Sequence, residues 1–270
     1  MTTRKTNANA NAKDDMMTGE RESQLIEAAD LLLDARRTGV PIEDLPEALQ
    51  PKDMPEAYSL QDRIAEAYGE IGGWKIGAPS AEAEPLFAPM PLAWMAGDGA
   101  VVGEVRRYRG LEAEIAFLIG EDLPPRATSY SREEVVAAIA SCHPAIEVIE
   151  SGLRDPLKAA RMSMLGDLQM HGGFVYGPAV AEWKKIDFKA EHVTIAVDGA
   201  VRVERTGSNT SGDLMRLLPW LANEGATRTG GLKAGQWVTT GSWTGVTSGD
   251  PGSVADVKFS SAGEVHLRFE

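Results

Sequence analysis

The stretch Leu111-Glu-Ala-Glu-Ile-Ala-Phe117 sets two acids into an otherwise apolar, strand-like run. Side chains along an extended strand alternate between faces, so Glu112 and Glu114 point the same way, about 7 Å apart. Leu111, Ala113, Ile115 and Phe117 take the other face. Two carboxylates on one face of a buried strand repel each other and are costly to desolvate, and a bound divalent cation relieves both costs. An edge strand whose acids simply face water is the alternative reading of the same residues.

A second stretch, Pro144-Ala-Ile-Glu-Val-Ile-Glu150, has the same texture. Glu147 lies in its apolar run, 33 residues after Glu114. Ile146 and Val148 face one way, and Glu147 shares the opposite face with Ile149. Two glutamates from one strand and one from a neighbour would form an all-oxygen site, which suits Mg²⁺ or Mn²⁺. Zinc is disfavoured, because no histidine or cysteine stands at ligand spacing.

Composition narrows the partners. The 270 residues are 43% hydrophobic and 25% charged, as in an ordinary globular protein. The formal charge of −13 argues against nucleic acid and against an anionic membrane surface. An acidic protein that handles an anionic substrate must supply positive charge locally, through a metal, a lysine or an arginine. The single cysteine, Cys142, excludes an intramolecular disulfide, fits a reducing cytoplasm, and reads as a small core residue. No apolar stretch reaches membrane-spanning length. The first 20 residues are polar, without the apolar run of a signal peptide, and read as a disordered tail.

Outward from the acidic strands, the periodicity predicts a helix from about Arg21 to Thr38 and another from Pro55 to Tyr68. Gly72-Gly-Trp-Lys-Ile-Gly77 reads as a strand bracketed by glycines. Ala78 to Gly99 has four prolines and no period, so an irregular loop or lid is expected there. A helix over Ser131–Ser141, a strand over Ala145–Glu150 and a strand over Gly172–Tyr176 follow. Next come a hairpin turning at Asp198-Gly199 and a helix over Asp213–Asn223 that Pro219 should kink and Gly225 stop. The chain closes with strands near 236–240, 254–259 and 265–269. The fold class is α+β: a tail over 1–20, a helical subdomain and loop over 21–99, and a β-rich metal-binding domain over 100–270. No glycine-rich loop opens a helix after a strand, so nucleotide-binding folds drop away.

Four motifs in this order carry a resemblance: Gly73-Trp-Lys-Ile-Gly77, the run at 111–117, the run at 144–150, and Val238-Thr-Thr-Gly-Ser-Trp-Thr-Gly245. From about residue 22 to its end the chain resembles the fumarylacetoacetate hydrolase superfamily, in its 2-keto-4-pentenoate hydratase and 4-oxalocrotonate decarboxylase branch. The resemblance implies a mixed β-sheet roll or sandwich with a helical N-terminal segment. It implies a metal held by Glu112, Glu114 and Glu147, with Lys75 projecting into the site to stabilise a carboxylate or enolate or to relay a proton. Ser242 and Thr244 then suit a substrate carboxylate, although an ordinary glycine-rich turn explains them equally. A homo-oligomer is expected, as members of the family usually assemble.

The branch commonly carries an Asp-Asn-Ala-Ser-like stretch where this chain has Gly166-Asp-Leu-Gln-Met-His-Gly172. Asp167 fits that pattern, but Leu168 replaces the amide, and Gln169 and His171 bring different chemistry. His171 could serve as general acid or base, or as a hydrogen-bonded structural residue. The loop after Lys75 is also shorter than in the branch.

A metal chelated by a 2-oxo or 2-hydroxydienoic acid would act as a Lewis acid at the 2-oxygen. Hydration to a 4-hydroxy-2-oxo acid is the first expectation, and 4-oxalocrotonate-type decarboxylation is the second outcome of the same chemistry. Acylpyruvate-type C–C hydrolysis ranks lower, because no histidine precedes residue 143 to pair with an acid as the base that activates water. An inactive partner subunit is the remaining reading, and the intact acidic cluster with Lys75 argues against it.

Overall fold

The computed structural model describes residues 4–103 and 107–270, with side chains from residue 19 onward except at 227. The chain divides into two compact units, one helical and one built on two sheets. The helical unit runs up to Ala67 and takes back Ser151–Leu168. The β unit holds Tyr68–Glu150 and Gln169–Glu270.

In the helical unit, α1 (Arg4–Thr38) buries Leu25, Ala28, Ala29 and Leu32, a stripe at i, i+3, i+4 and i+7. It packs on α2 (Met54–Ala67), which offers Ala57, Leu60 and Ile64. The Arg21 guanidinium ties the two helices, its Nε 2.9 Å from Glu56 Oε1 and its Nη2 2.6 Å from Oε2. Such a fork on a carboxylate is a strong form of ion pair. α1 takes in Arg4–Glu20 of the stretch expected as a tail, and residues 1–3 lie outside the described residues.

The β unit contains β1 (Ile71–Gly77), β2 (Leu86–Pro91), β3 (Met95–Gly97), β4 (Ala100–Val102), β5 (Gly110–Ile119), β6 (Ile139–Ile149) and β7 (His171–Tyr176). After these come β8 (His192–Val197), β9 (Ala200–Thr206), β10 (Trp237–Thr239), β11 (Thr247–Ser248), β12 (Val254–Phe259) and β13 (Gly263–Phe269). One sheet is ordered β2-β1-β10-β5-β6-β7-β3, with β11 on β5, and the other β4-β13-β12-β8-β9. β12 and β13 pack against β6, bringing Ala255, Val257, Phe259, Val265, Leu267 and Phe269 into the core. Both sheets mix parallel and antiparallel pairs, which matches the expected α+β class. Cys142 is a buried core residue, and burial pushes its thiol up to about 12.

Three expectations need correction. The loop or lid over 78–99 contains β2 and β3, and β2 is the edge strand of the large sheet. Pro89 and Pro91 are tolerated there because an edge strand pairs on one side only. β1 to β3 pair into the large sheet and so fall within the β unit. The helix expected over 131–141 is the short α3 (Arg132–Ala137), opened by a full capping box between Ser131 and Glu134. It stops early because Ile139 to Cys142 pair with β5 as the start of β6. The helix expected over 213–223, with a kink or split at Pro219 and a stop at Gly225, instead begins as a 3-10 turn at Leu214–Arg216, runs through Pro219 as α-helix to Trp220, and continues past Gly225 through a π turn at Leu221–Gly225 to Thr229.

Candidate metal centre

β5 lies between β10 and β6, so Glu112 and Glu114 are not on an edge, and the water-facing reading of these acids fails. The antiparallel register sets Glu112 directly opposite Glu147 and Glu114 opposite Ala145. All three acids therefore share one face, as alternation requires. One carboxylate oxygen from each lies within 4.8 Å of the other two. Glu114 and Glu147 are buried and Glu112 is half-buried, so the cluster opens towards solvent on the Glu112 side.

Lys75 arrives from β1, two strands away, through the registers Lys75–Thr239 and Thr239–Ala116. That parallel pairing requires Gly73, where a Cβ would sit 2.2 Å from the Trp237 carbonyl oxygen. The Lys75 Nζ lies 2.6 Å from Glu147 Oε1 and donates to the Gln169 carbonyl oxygen at 3.0 Å. His171, fully buried at the start of β7, places Nδ1 2.9 Å from the same Glu147 Oε1. Glu147 Oε2 is buried with no hydrogen-bond partner. An orphaned carboxylate oxygen in a cluster of three carboxylates fits a hard divalent cation, because nothing else there offsets its desolvation. Glu114 Oε2 accepts from the Thr239 hydroxyl and, at 3.1 Å, from the Gly241 N–H, and Gly241 presents that N–H with φ of +86°. The Ser242 hydroxyl beside Glu112 favours its charged form. These outer contacts orient the acids, as outer-shell partners of metal ligands do.

The electrostatics diverge across the cluster. Burial and the Glu147 charge push Glu112 up to about 7. Burial and the same neighbours raise Glu114 well above the usual carboxylate range. For Glu147, burial alone would raise its pKa, but the Lys75 charge and the His171 hydrogen bond hold it down to about 2. Burial disfavours the Lys75 ammonium, and the three glutamates outweigh that and raise its pKa.

Of the residues singled out in the sequence, Lys75, His171, Glu112, Glu114 and Glu147 converge. Asp167 belongs instead to the helical unit. Its Oδ1 accepts from Arg36 Nε at 2.5 Å, and its Oδ2 accepts from Ser151 Oγ at 2.5 Å and the Gly152 N–H at 2.8 Å. Both Asp167 oxygens are thus engaged in buried contacts, one of them an ion pair with Arg36. Ser242 Oγ accepts from the Gly245 N–H at 2.9 Å, which braces its own loop, and Thr244 Oγ1 accepts from the Ala113 N–H at 3.1 Å, which ties that loop to β5.

Thr239 and Gln169 escaped the sequence reading. Thr239 lies inside a quoted motif, but its role depends on the β10–β5 register, which no local pattern displays. Gln169 lies at the centre of three consecutive non-glycine residues in the left-handed region, Leu168 (φ 52°), Gln169 (φ 50°) and Met170 (φ 65°). Left-handed backbone costs roughly 1–2 kcal/mol per such residue, so the surroundings impose it.

The chain is 26% identical over 250 residues to 2-hydroxyhexa-2,4-dienoate hydratase of Comamonas testosteroni, covering 88% of this chain and 93% of the relative. It is 27% identical over 232 residues to 2-keto-4-pentenoate hydratase of Burkholderia vietnamiensis, covering 82% and 87%. Among solved structures, 4-oxalocrotonate decarboxylase from Pseudomonas putida G7, complexed with magnesium and adipate, superposes with a TM-score of 0.79. That match is 25% identical and covers 92% of this chain and 98% of the other. The family model for the fumarylacetoacetate (FAA) hydrolase C-terminal region matches residues 66–269, and the chain belongs to that family.

Proposed function

We propose that this protein is a divalent-metal-dependent hydro-lyase that adds water to 2-hydroxypenta-2,4-dienoate-like acids to give 4-hydroxy-2-oxo acids. The carrying observation is Glu147, with one oxygen held by Lys75 and His171 and the other buried and orphaned in the glutamate cluster. Relatives named as hydratases support the substrate class, and the magnesium complex of the decarboxylase supports Mg²⁺, with Mn²⁺ as the alternative ion.

Glu112, Glu114 and Glu147 would hold the ion, which when bound supplies Lewis acidity towards a 2-oxo acid. Lys75 stays protonated beside Glu147 and offers positive charge and a proton to the anion that forms from the substrate. His171 takes the role of positioning group: its hydrogen bond fixes Glu147, and the Trp94 ring lies 5.9 Å from its own ring. Ser242 and Thr244 form the rim, with Ser242 directed at the most exposed ligand, Glu112.

Decarboxylation of a 4-oxalocrotonate-type acid is the second reading, favoured by the structural match to the decarboxylase. A cytoplasmic homo-oligomer completes the proposal, on the family resemblance and the single cysteine, and light scattering tests the assembly. The decisive experiment incubates EDTA-stripped protein with 2-hydroxypenta-2,4-dienoate, with and without Mg²⁺, and weighs the products. A metal-dependent gain of one water supports hydration. Metal-dependent loss of CO₂ from a dioic analogue, without hydration, moves the assignment to decarboxylase. Neither reaction overturns both.

A further inference from the structure

We propose that the left-handed turn Leu168–Gln169–Met170 is a positioning device for Lys75, acting through the main-chain carbonyl of Gln169. An ammonium has three N–H donors. Among the described residues, Lys75 has two partners in reach, Glu147 Oε1 at 2.6 Å and the Gln169 carbonyl oxygen at 3.0 Å. Two fixed contacts leave the third N–H a single direction, which a flexible lysine stem does not otherwise have.

The turn is tied to the site at each step. The Gln169 carbonyl meets Lys75, and the Met170 carbonyl accepts from the Glu150 N–H at 2.9 Å, just beyond the end of β6. The next residue, His171, reaches Glu147. Leu168, Gln169 and Met170 all hold positive φ without a glycine. Strain of this kind persists where the surroundings over-determine it, and it gathers at functional sites. A right-handed turn would swing the Gln169 carbonyl away and leave Lys75 with Glu147 alone.

The inference rests on the reading of Lys75 as the group that meets the substrate, so its test includes a readout without substrate. Two variants of the full-length, Mg²⁺-loaded protein separate backbone from side chain. Gln169→Ala removes the amide and keeps the same tolerance for positive φ, whereas Gln169→Val adds a β-branch that disfavours it. The ¹⁵N resonance of the Lys75 ammonium, assigned by its loss in Lys75→Met, reports hydrogen exchange with water. The expected result is exchange at least tenfold faster in Gln169→Val than in Gln169→Ala. In turnover, kcat is expected at least tenfold lower in the valine variant, with KM within threefold. Equal exchange in the two overturns the proposal, as does an alanine variant as impaired as the valine one, which would place the role in the side chain. Should the valine variant not fold, Gln169→Asn replaces it, since asparagine adopts positive φ readily. Its Lys75 exchange is then expected to be no faster than in the alanine variant, and faster exchange overturns the proposal. Failure of the hydratase assignment leaves the exchange measurement standing.

Discussion

Glu112 and Glu147 are direct cross-strand partners on β5 and β6. Like charges in that relation destabilise a sheet, and a third acid, Glu114, adds to the repulsion from the same face. Lys75 offsets one charge of the three. A divalent cation held by the three acids would relieve this repulsion and raise the stability of the folded chain. Mg²⁺ at about 100 times its Kd should add about 2.7 kcal/mol, or about 5–10 °C in Tm for a chain of this size. Thermal melts of EDTA-stripped protein against increasing Mg²⁺ check this, and a Tm indifferent to Mg²⁺ removes the metal centre from consideration.

The raised acids give the metal-free protein a definite pH signature. Glu112 moves from an ordinary value of 4.5 to about 7 on folding, and Glu114 moves further in the same direction. The folded chain then holds more protons than the unfolded chain, so this contribution is complete below about 4.5 and is lost as pH rises through about 7. Glu147 runs the other way: its stabilisation is present above 4.5 and is lost as pH falls through about 2. Urea unfolding of metal-free protein should show lower stability at pH 8 than at pH 5.5. Mg²⁺ binding at pH 7 should release protons, read by calorimetry in buffers of different ionisation heat. Stability rising across that window, or binding without proton release, contradicts the assignment.

Glu114→Gln isolates the ligand set. The amide oxygen can still accept from Thr239 and Gly241, so the local hydrogen bonds survive while one buried charge disappears. The metal-free variant should melt no lower than the parent. Its Mg²⁺-dependent Tm shift should vanish, and turnover should fall by more than the roughly 10–100-fold typical of losing an outer-shell partner. Retained metal-dependent turnover would show that Glu114 is not a ligand.

Much of this centre was legible in the chain because period-two alternation fixes faces without any tertiary knowledge. Glu112, Glu114 and Glu147 were placed on one face by alternation and two apolar runs alone, and the register puts them there. Lys75 was found only through the motif resemblance, since its contact with Glu147 depends on the parallel pairing of β1 with β10. Thr239 stayed hidden for the same reason, and Gln169 because positive φ at a glutamine has no local signature. The prolines after Lys75 read as loop because a sequence does not reveal which strand will be the edge.

Lys75→Met tests the second layer. Removing the ammonium leaves Glu147 beside Glu112 and Glu114 with no cation except the metal, so the metal-free variant should lose about 3–5 kcal/mol. Turnover should drop by about 10²–10⁴-fold, the usual range for a positioned proton donor. Mg²⁺ affinity should hold or rise, because the metal no longer competes with the ammonium for Glu147. Unchanged kinetics would return Lys75 to a purely structural role.

Asp167 separates architecture from catalysis. Its carboxylate is fully buried, with Arg36 on one oxygen and Ser151 and Gly152 on the other. Breaking such a pair strands a buried charge, at about 3–5 kcal/mol. Arg36→Ala should therefore destabilise the helical unit by that amount. Asp167→Asn should cost less, since the amide oxygen can still accept from one of these donors. Both variants should keep the Mg²⁺-dependent Tm shift. Chemical denaturation with and without Mg²⁺ reads both quantities at once. If Asp167→Asn kept full stability and lost turnover, Asp167 would act in catalysis rather than in architecture.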